Sequence, residues 1–294
     1  MATNNFKAFA LDPNANVLSQ ADWEALPALL SGFTSGKASS AQVNKAIRQA
    51  TTIAALVGQF IANSGSDALD NADVNSLVLK FTKAVSGRYS NVVTFGVSGT
   101  YTWPADVKFI EVIVTGAGGG GGGCNATTTS DTYFGAGGGG GGTAFGLIRA
   151  TDSGAGPGTY TVTVGLGGTG GSGAAPGSDG GDSVFMSLTG GGGKGAKRPT
   201  ADNTSGGTGG SASGGYQRVF GAFGQDGQST TRSISGNGGG SFWGGGGISS
   251  NLAAPIARGS VGDGGGGAYD MLFRGVSGSG ANGGNGVVVV KEYR

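Results

Sequence analysis

Residues 109–123 read FIEVIVTGAGGGGGG, a short apolar segment that runs directly into six consecutive glycines. The apolar part alternates as a half-buried strand does, with Glu111 on one face and its neighbours Ile110 and Val112 on the other. The glycines have no side chains with which to form a core. The stretch therefore predicts a β-strand that continues into an extended glycine segment.

Glycine runs return throughout the second part of the chain. Another run of six occupies residues 137–142, shorter runs follow, and all but five of the 68 glycines lie after Phe95. A single run is typical of a flexible linker. Repeated runs separated by apolar segments indicate a folded domain instead, because many structureless loops within one compact domain are improbable.

Extended glycine segments can pack against one another without side chains. A polyproline-II chain has three residues per turn and no internal hydrogen bonds, so its N–H and C=O groups need partners on neighbouring segments. We therefore predict a fold that is mainly β with polyglycine-II helices, arranged as a β/polyglycine-II sandwich over residues 91–294. Its strands are predicted at residues 92–97, 100–103, 108–114, 144–148, 160–164, 183–188 and 287–291.

Residues 1–90 predict a short helical region with a different composition. The clearest helix covers residues 40–63, and a further one covers residues 70–85. Apolar side chains recur in the first of these helices at alternating spacings of four and three, which is the spacing of a coiled-coil seam. The seam consists of Val43, Ile47, Ala50, Ala54, Val57 and Ile61. It either packs within a monomeric three-helix bundle or joins copies of this chain, and both alternatives stay open.

The composition argues against an enzyme. The chain has no histidine and one cysteine, which leaves no serine–histidine or cysteine–histidine nucleophile pair and no zinc ligand set. We predict no catalytic residue, metal or cofactor. The net charge of +1 and the 12% of charged residues also argue against a nucleic-acid partner.

The segments between glycine runs carry aromatic, polar and basic residues, which suit adaptable binding loops on a rigid frame. These segments cover residues 124–134, 196–205, 216–235, 241–243, 248–261 and 268–275. The candidate binding residues are Tyr133, Phe134, Lys197, Arg198, Tyr216, Arg218, Phe220, Phe223, Phe242, Trp243, Tyr269 and Phe273. Each aromatic ring has the alternative role of covering an end of the glycine packing.

The sequence resembles tail fibre proteins of tailed bacteriophages and prophages. Residues 1–51 (MATNNFKAF to AIRQAT) resemble their N-terminal segment. Residues 100–123 (TYTWPADVKFIEVIVTGAGGGGGG), 159–171 (TYTVTVGLGGTGG) and 283–294 (GGNGVVVVKEYR) resemble a glycine-rich adhesin domain found at some fibre tips. The resemblance implies polyglycine helices in a sandwich and loops that recognise an outer-membrane protein or lipopolysaccharide.

The resemblance implies a virion protein, and the polar start of the chain predicts that it is made in the host cytoplasm without a signal peptide. Its expected partners are copies of itself in a homotrimer, phage baseplate or tail proteins, and a bacterial surface receptor. A purely structural fibre or baseplate protein is the main alternative. A secreted ice-binding protein and a polysaccharide depolymerase are further alternatives, the last because paired carboxylates need not be adjacent in sequence.

Overall fold

The computed structural model describes residues 2–33, 39–85, 89–126, 132–199, 203–229, 234–251, 259–270 and 274–294. The chain divides into two compact units, Met1–Arg88 and Tyr89–Arg294. The fold is mainly β, and the helices of the described residues all belong to the first unit.

Among its described residues the first unit has four helices: α1 (Gln20–Glu24), α2 (Ala28–Ser31), α3 (Ser40–Asn63) and α4 (Val74–Val85). α3 has the predicted bounds, because Ser39 and Gln42 form a capping box at its start. α4 begins four residues later than predicted, because Ala72 has a φ of 62° and the Asp73 carboxylate accepts a hydrogen bond from the Ser76 amide. No described helix is long and apolar enough to cross a membrane.

The strands of the second unit follow in chain order. They are β1 (Tyr89–Phe95), β2 (Gly99–Trp103), β3 (Phe109–Thr115), β4 (Asn125–Ala126), β5 (Thr132–Tyr133), β6 (Thr143–Arg149), β7 (Gly158–Thr163), β8 (Ser183–Phe185), β9 (Leu188–Gly190), β10 (Asn203–Thr204), β11 (Ala212–Ser213), β12 (Gln217–Val219), β13 (Gly227–Gln228), β14 (Ser250–Asn251), β15 (Ala268–Tyr269) and β16 (Val287–Tyr293).

Two five-stranded sheets enclose the core of this unit. Their strand orders are β1-β16-β3-β6-β12 and β11-β9-β8-β7-β2, and their strands pair antiparallel. The core consists of the inward residues of β3 and β16, such as Val112 and Val288, packed with Trp103 and Phe185 from the other sheet. The predicted alternation of β3 holds for residues 109–112, after which both faces are buried. Of the final valines, Val287, Val288 and Val290 are buried as predicted and Val289 is half-buried.

The strand predicted at residues 183–188 is wrong as a single element. Met186 has a φ of 52°, which breaks the extended backbone, and β8 and β9 pair with each other as a tight hairpin. One long strand and two short paired strands would show the same pattern of apolar residues here. The sequence therefore does not reveal the turn at Met186.

Glycine segments continue from the ends of the long strands and pair through their backbones. Within residues 116–124, every third amide donates to the same neighbouring segment. The amides of Gly116 and Gly119 both donate to the segment at 139–142, at the carbonyls of Gly142 and Gly139. The amides that follow donate to other segments: Gly120 donates to the Ser178 carbonyl and Gly121 to the Ala281 carbonyl. Carbonyls of the same stretch accept from three further segments, at Gly168, Gly193 and Gly265.

Residues 116–124 therefore have six neighbouring segments. Residues 135–142 show the same three-residue repeat, since Gly137 and Gly140 both donate to the segment at 222–225. We call these two stretches and the segments bonded to them the glycine array. The array brings together segments that lie far apart in sequence, and its interior consists of backbone.

Candidate binding surface

Polar side chains complete the hydrogen bonds at the border of the glycine array. Asn285 and Asn282 accept from the amides of Gly167 and Gly170, both at 2.9 Å. The acceptors are three residues apart, as are the donors, so the repeat of the array extends to its side chains. An amide that would otherwise face solvent at the border of the array thus has a fixed partner.

Asp179 and Asp182 likewise accept hydrogen bonds from glycine amides at the border of the array, on another segment. Their carboxylates accept from the amides of Gly195 (2.9 Å) and Gly192 (2.8 Å), and Lys194 forms an ion pair with Asp179 at 2.9 Å. Burial acts to raise the pKa of Asp179, but the Gly195 amide and the Lys194 ammonium outweigh burial and lower that pKa below its ordinary value. Asp179 is therefore ionised at neutral pH.

Phe220 and Phe223 are the most prominent aromatic side chains of the array, being 69% and 71% exposed. The backbone around them is not free, because the amides of Gly221, Ala222 and Gly224 all donate to neighbouring array segments. This corrects the predicted loop at residues 216–235: residues 217–219 form β12, residues 221–225 belong to the array and residues 227–228 form β13, while residues 230–233 lie outside the described residues. The two rings are thus displayed by a fixed segment rather than by a flexible loop.

Four further candidate residues are exposed. Tyr216 lies just before β12, and its hydroxyl donates to Glu111 at 3.1 Å. Arg218 is exposed on β12, an edge strand. Lys197 and Arg198 are exposed near the end of another array segment, where the Lys197 amide donates to the Ser205 carbonyl.

Phe242 and Trp243 pack on the outer face of a sheet. The Phe242 ring meets Phe145 of β6 edge to face at 5.1 Å, and the Trp243 ring meets Phe242 in the same way. The Trp243 indole donates to the Thr115 hydroxyl at 2.9 Å. These contacts fit the alternative role, in which the rings cover underlying structure, although both rings keep an exposed side.

The remaining aromatic candidates differ in accessibility. Phe134 is 1% exposed and stacks on Tyr269 at 6.3 Å, so it contributes to packing and not to an exposed surface. Tyr133 and Tyr269 are half-buried. Phe273 lies outside the described residues.

The residues of the predicted α3 seam fall into two groups. Ala54, Val57 and the buried Ile61 line an apolar groove together with Val78 and Phe81 of α4. Val43 is half-buried, whereas Ile47 and Ala50 are exposed. Further apolar side chains of α3 are exposed beside this seam, namely Ile53, Leu56 and Phe60.

The described residues contain no group of three or more histidine, cysteine, aspartate and glutamate side chains that could hold a metal ion. Cys124 is buried at the end of the first six-glycine run, and burial raises its pKa to about 11. The arrangement can bind through exposed rings and backbone-anchored polar groups, and Cys124 is held as a neutral thiol.

Residues 94–293 match the model of a protein family described as a glycine-rich domain. The chain belongs to this family. The matched region covers both five-stranded sheets, apart from residues 89–93 of β1, and the glycine array, so it coincides with nearly all of the second unit. No curated protein matches the chain.

The glycine-rich domain also has surface residues that were not among the binding residues predicted from the sequence. Leu166 is 70% exposed on an array segment, and Phe109, Arg149 and Tyr293 lie at one end of the first sheet. The alternation of β3 predicted that Phe109 and Glu111 share a face. The alternation could not show which residues of β6 and β16 lie beside Phe109 and Glu111, because strand register depends on contacts between segments distant in sequence.

Proposed function

We propose that this protein is a tail fibre of a tailed bacteriophage or prophage that binds a bacterial surface receptor. In this proposal the first unit attaches the protein to baseplate or tail proteins of the virion. The glycine-rich domain then recognises an outer-membrane protein or lipopolysaccharide of the host. The protein acts as an adhesin and not as an enzyme.

The observation that carries the proposal is the exposure of Phe220 and Phe223 on a backbone-anchored segment. Large apolar rings cost free energy when they face water, and such rings on a soluble surface are typical of binding sites. Their backbone is already ordered, so a partner would not have to supply the entropy of fixing it. The combination suits recognition of a receptor.

We further infer that the glycine segments are polyglycine-II helices. The three-residue repeat of hydrogen-bond partners supports this, since a helix with three residues per turn directs every third amide in the same direction. Six bonded neighbours around residues 116–124 also fit hexagonal packing of such helices. Phe220 and Phe223 would then share one face, roughly 9 Å apart at about 3.1 Å per residue.

The first unit is proposed to form a homotrimer. Apolar side chains along one side of α3, including Ala50, Ile53 and Phe60, are exposed within a single chain. Packing three copies along α3 would remove this apolar area from water, at roughly 25 cal/mol per Å². A trimeric stem would also place three receptor-binding domains on one fibre, which raises avidity.

Binding to bacterial cells tests the receptor proposal. We expect the fluorescently labelled full chain to bind cells of some strains in a Gram-negative panel saturably, and to block adsorption of phage that carries it. The double variant Phe220→Ala/Phe223→Ala should lose about tenfold or more in affinity. Leu166→Ala is the matched control, because Leu166 is an equally exposed apolar residue on another array segment.

Two treatments of the cells separate the receptor classes. Protease treatment should abolish binding to an outer-membrane protein, whereas competition with purified lipopolysaccharide should abolish binding to the glycan. If no strain binds the wild-type chain and phage adsorption is unaffected, the receptor proposal fails and a purely structural fibre protein is the better account.

A further inference from the structure

An open groove lies on the outer face of the first sheet, away from its packed core. It is lined by Phe109 and Glu111 of β3, Leu147 and Arg149 of β6, Tyr293 of β16, and Tyr216, and its volume is about 710 Å³. The register places Phe109 between Tyr293 and Arg149. A volume of this size is typical of sites for small ligands or sugar units.

The centre of the groove is a carboxylate held by three donors. Glu111 accepts from the Tyr216 hydroxyl at 3.1 Å, the Tyr293 hydroxyl at 3.3 Å and the Lys291 ammonium at 3.1 Å. Burial acts to raise the pKa of Glu111, but these donors and the charge of Lys291 lower it below its ordinary value. The tyrosines are thus fixed in place before any ligand binds, and such preorganisation favours binding.

One wall of the groove is aromatic. The rings of Phe109 and Tyr293 stack at 4.5 Å with an angle of 10° between their planes, and Leu147 contributes an exposed apolar side chain nearby. A pyranose ring has one apolar C–H face and a rim of hydroxyls. It therefore matches a groove that combines a flat aromatic wall with hydrogen-bonding groups at its centre.

The charge of the groove favours an anion. Lys291 and Glu111 neutralise each other in an ion pair, whereas the exposed Arg149 side chain forms no ion pair with any described residue. The nearby Asp152 carboxylate accepts from the Arg149 backbone amide at 2.8 Å. The Arg149 guanidinium thus has its planar set of donors available, and this set fits a carboxylate in two parallel hydrogen bonds.

We propose that this groove binds an acidic saccharide, with a pyranose ring against Phe109 and a uronic-acid carboxylate on Arg149. Tyr216 and Glu111 then meet the sugar hydroxyls. Glu111 is the one carboxylate among the lining residues, whereas glycoside hydrolysis generally needs two, so the groove binds the saccharide without cleaving it. This inference goes beyond the proposed receptor function, which depends on Phe220 and Phe223.

Calorimetric titration of the full chain tests the proposal. The probes are trisaccharides of galacturonate, glucuronate and mannuronate, with maltotriose as the neutral counterpart and inorganic phosphate as the free anion. We expect at least one acidic trisaccharide to bind about tenfold or more tightly than maltotriose and than phosphate.

Variants identify the groups responsible. Arg149→Gln should remove the preference for the acidic trisaccharide, and Phe109→Ala should weaken binding of every saccharide. Lys108→Gln, which removes an exposed cation next to the groove in sequence but not among its lining residues, should bind as the wild type does. Melting temperatures of all variants establish that they fold, and Phe109→Leu replaces Phe109→Ala if that variant is unstable.

Three results would overturn the proposal. These are failure of every acidic trisaccharide to bind, equal binding of maltotriose, and equal binding of phosphate, which would indicate an anion site only. The receptor proposal is tested separately, because Phe220→Ala/Phe223→Ala should lose cell binding while its saccharide titration stays unchanged.

Discussion

At the scale of single residues, glycine is required in the array because backbone atoms occupy the place of a side chain. A methyl group added at Gly120 would overlap the Thr169 carbonyl, and one at Gly139 would overlap the Thr208 carbonyl. These carbonyls belong to neighbouring segments that are themselves bonded on several sides, so they cannot move aside independently. Gly245 differs, because an added methyl group there would meet nothing within 4 Å.

We therefore expect Gly120→Ala to lower the free energy of unfolding by about 3 kcal/mol or more, at the upper end of the usual cost of overpacking. Gly245→Ala should stay within about 1 kcal/mol of the wild type, since alanine also restricts the unfolded chain. Thermal and denaturant unfolding measure both variants. Equal stability of the two variants would contradict the close packing of the array.

Cys124 offers a second residue-scale prediction. The side chain is fully buried, and burial raises the pKa of its thiol to about 11. The thiolate is the reactive form, so at about pH 8 the native protein should react very slowly with a thiol reagent such as Ellman's reagent. Rapid, complete reaction is expected once guanidinium chloride unfolds the chain. Rapid reaction of the native protein would show that the end of the first glycine run opens readily.

At the scale of elements, side chains at the border of the array fix which glycine segments are neighbours. Glycine runs have no side-chain pattern of their own, and one run could pair with many others in several registers. Asn282 and Asn285 bond to Gly170 and Gly167, and this paired spacing admits one alignment of the two segments. The register of the array therefore depends on the few polar residues that interrupt the glycines.

The double variant Asn282→Ala/Asn285→Ala should accordingly lower the free energy of unfolding by about 1–2 kcal/mol, from two lost hydrogen bonds at a partly solvated border. Asn282→Asp/Asn285→Asp is the matched control, because each carboxylate can still accept from its glycine amide. Denaturant titration near neutral pH compares the two. If the alanine and aspartate variants lose the same stability, the hydrogen bonds do not contribute as described.

The elements that the sequence predicts well are those with a local pattern. α3 combines a capping box with helical spacing and has its predicted bounds, and β3 lies within one residue of its predicted bounds because its apolar pattern is local. The turn at Met186 and the anchored backbone around Phe220 were missed, because each depends on contacts with segments distant in sequence. The burial of the Phe134 ring was missed for the same reason, because in the sequence Phe134 looks like any other aromatic residue between glycine runs.

At the scale of the whole molecule, the two units are stabilised by different interactions. The glycine-rich domain combines a conventional core between two sheets with an array held by backbone hydrogen bonds. The first unit leaves much of its apolar surface exposed, including Ile53 at 61%. The proposed homotrimer would cover part of that surface, whereas the backbone hydrogen bonds of the glycine array form within one chain.

The proposed homotrimer gives the last prediction. Sedimentation equilibrium of the full chain should yield about three times the monomer mass of 28.3 kDa. Ile53→Asp should convert the trimer to monomers, because a buried unpaired carboxylate costs several kcal/mol per copy. Gln59→Asp is the control: Gln59 is also exposed but lies about 120° around α3 from Ile53 at 3.6 residues per turn. A monomeric wild type, or equal effects of the two variants, would exclude this face of α3 as the trimer contact. Neither result would affect the Cys124 test, because Cys124 belongs to the glycine-rich domain.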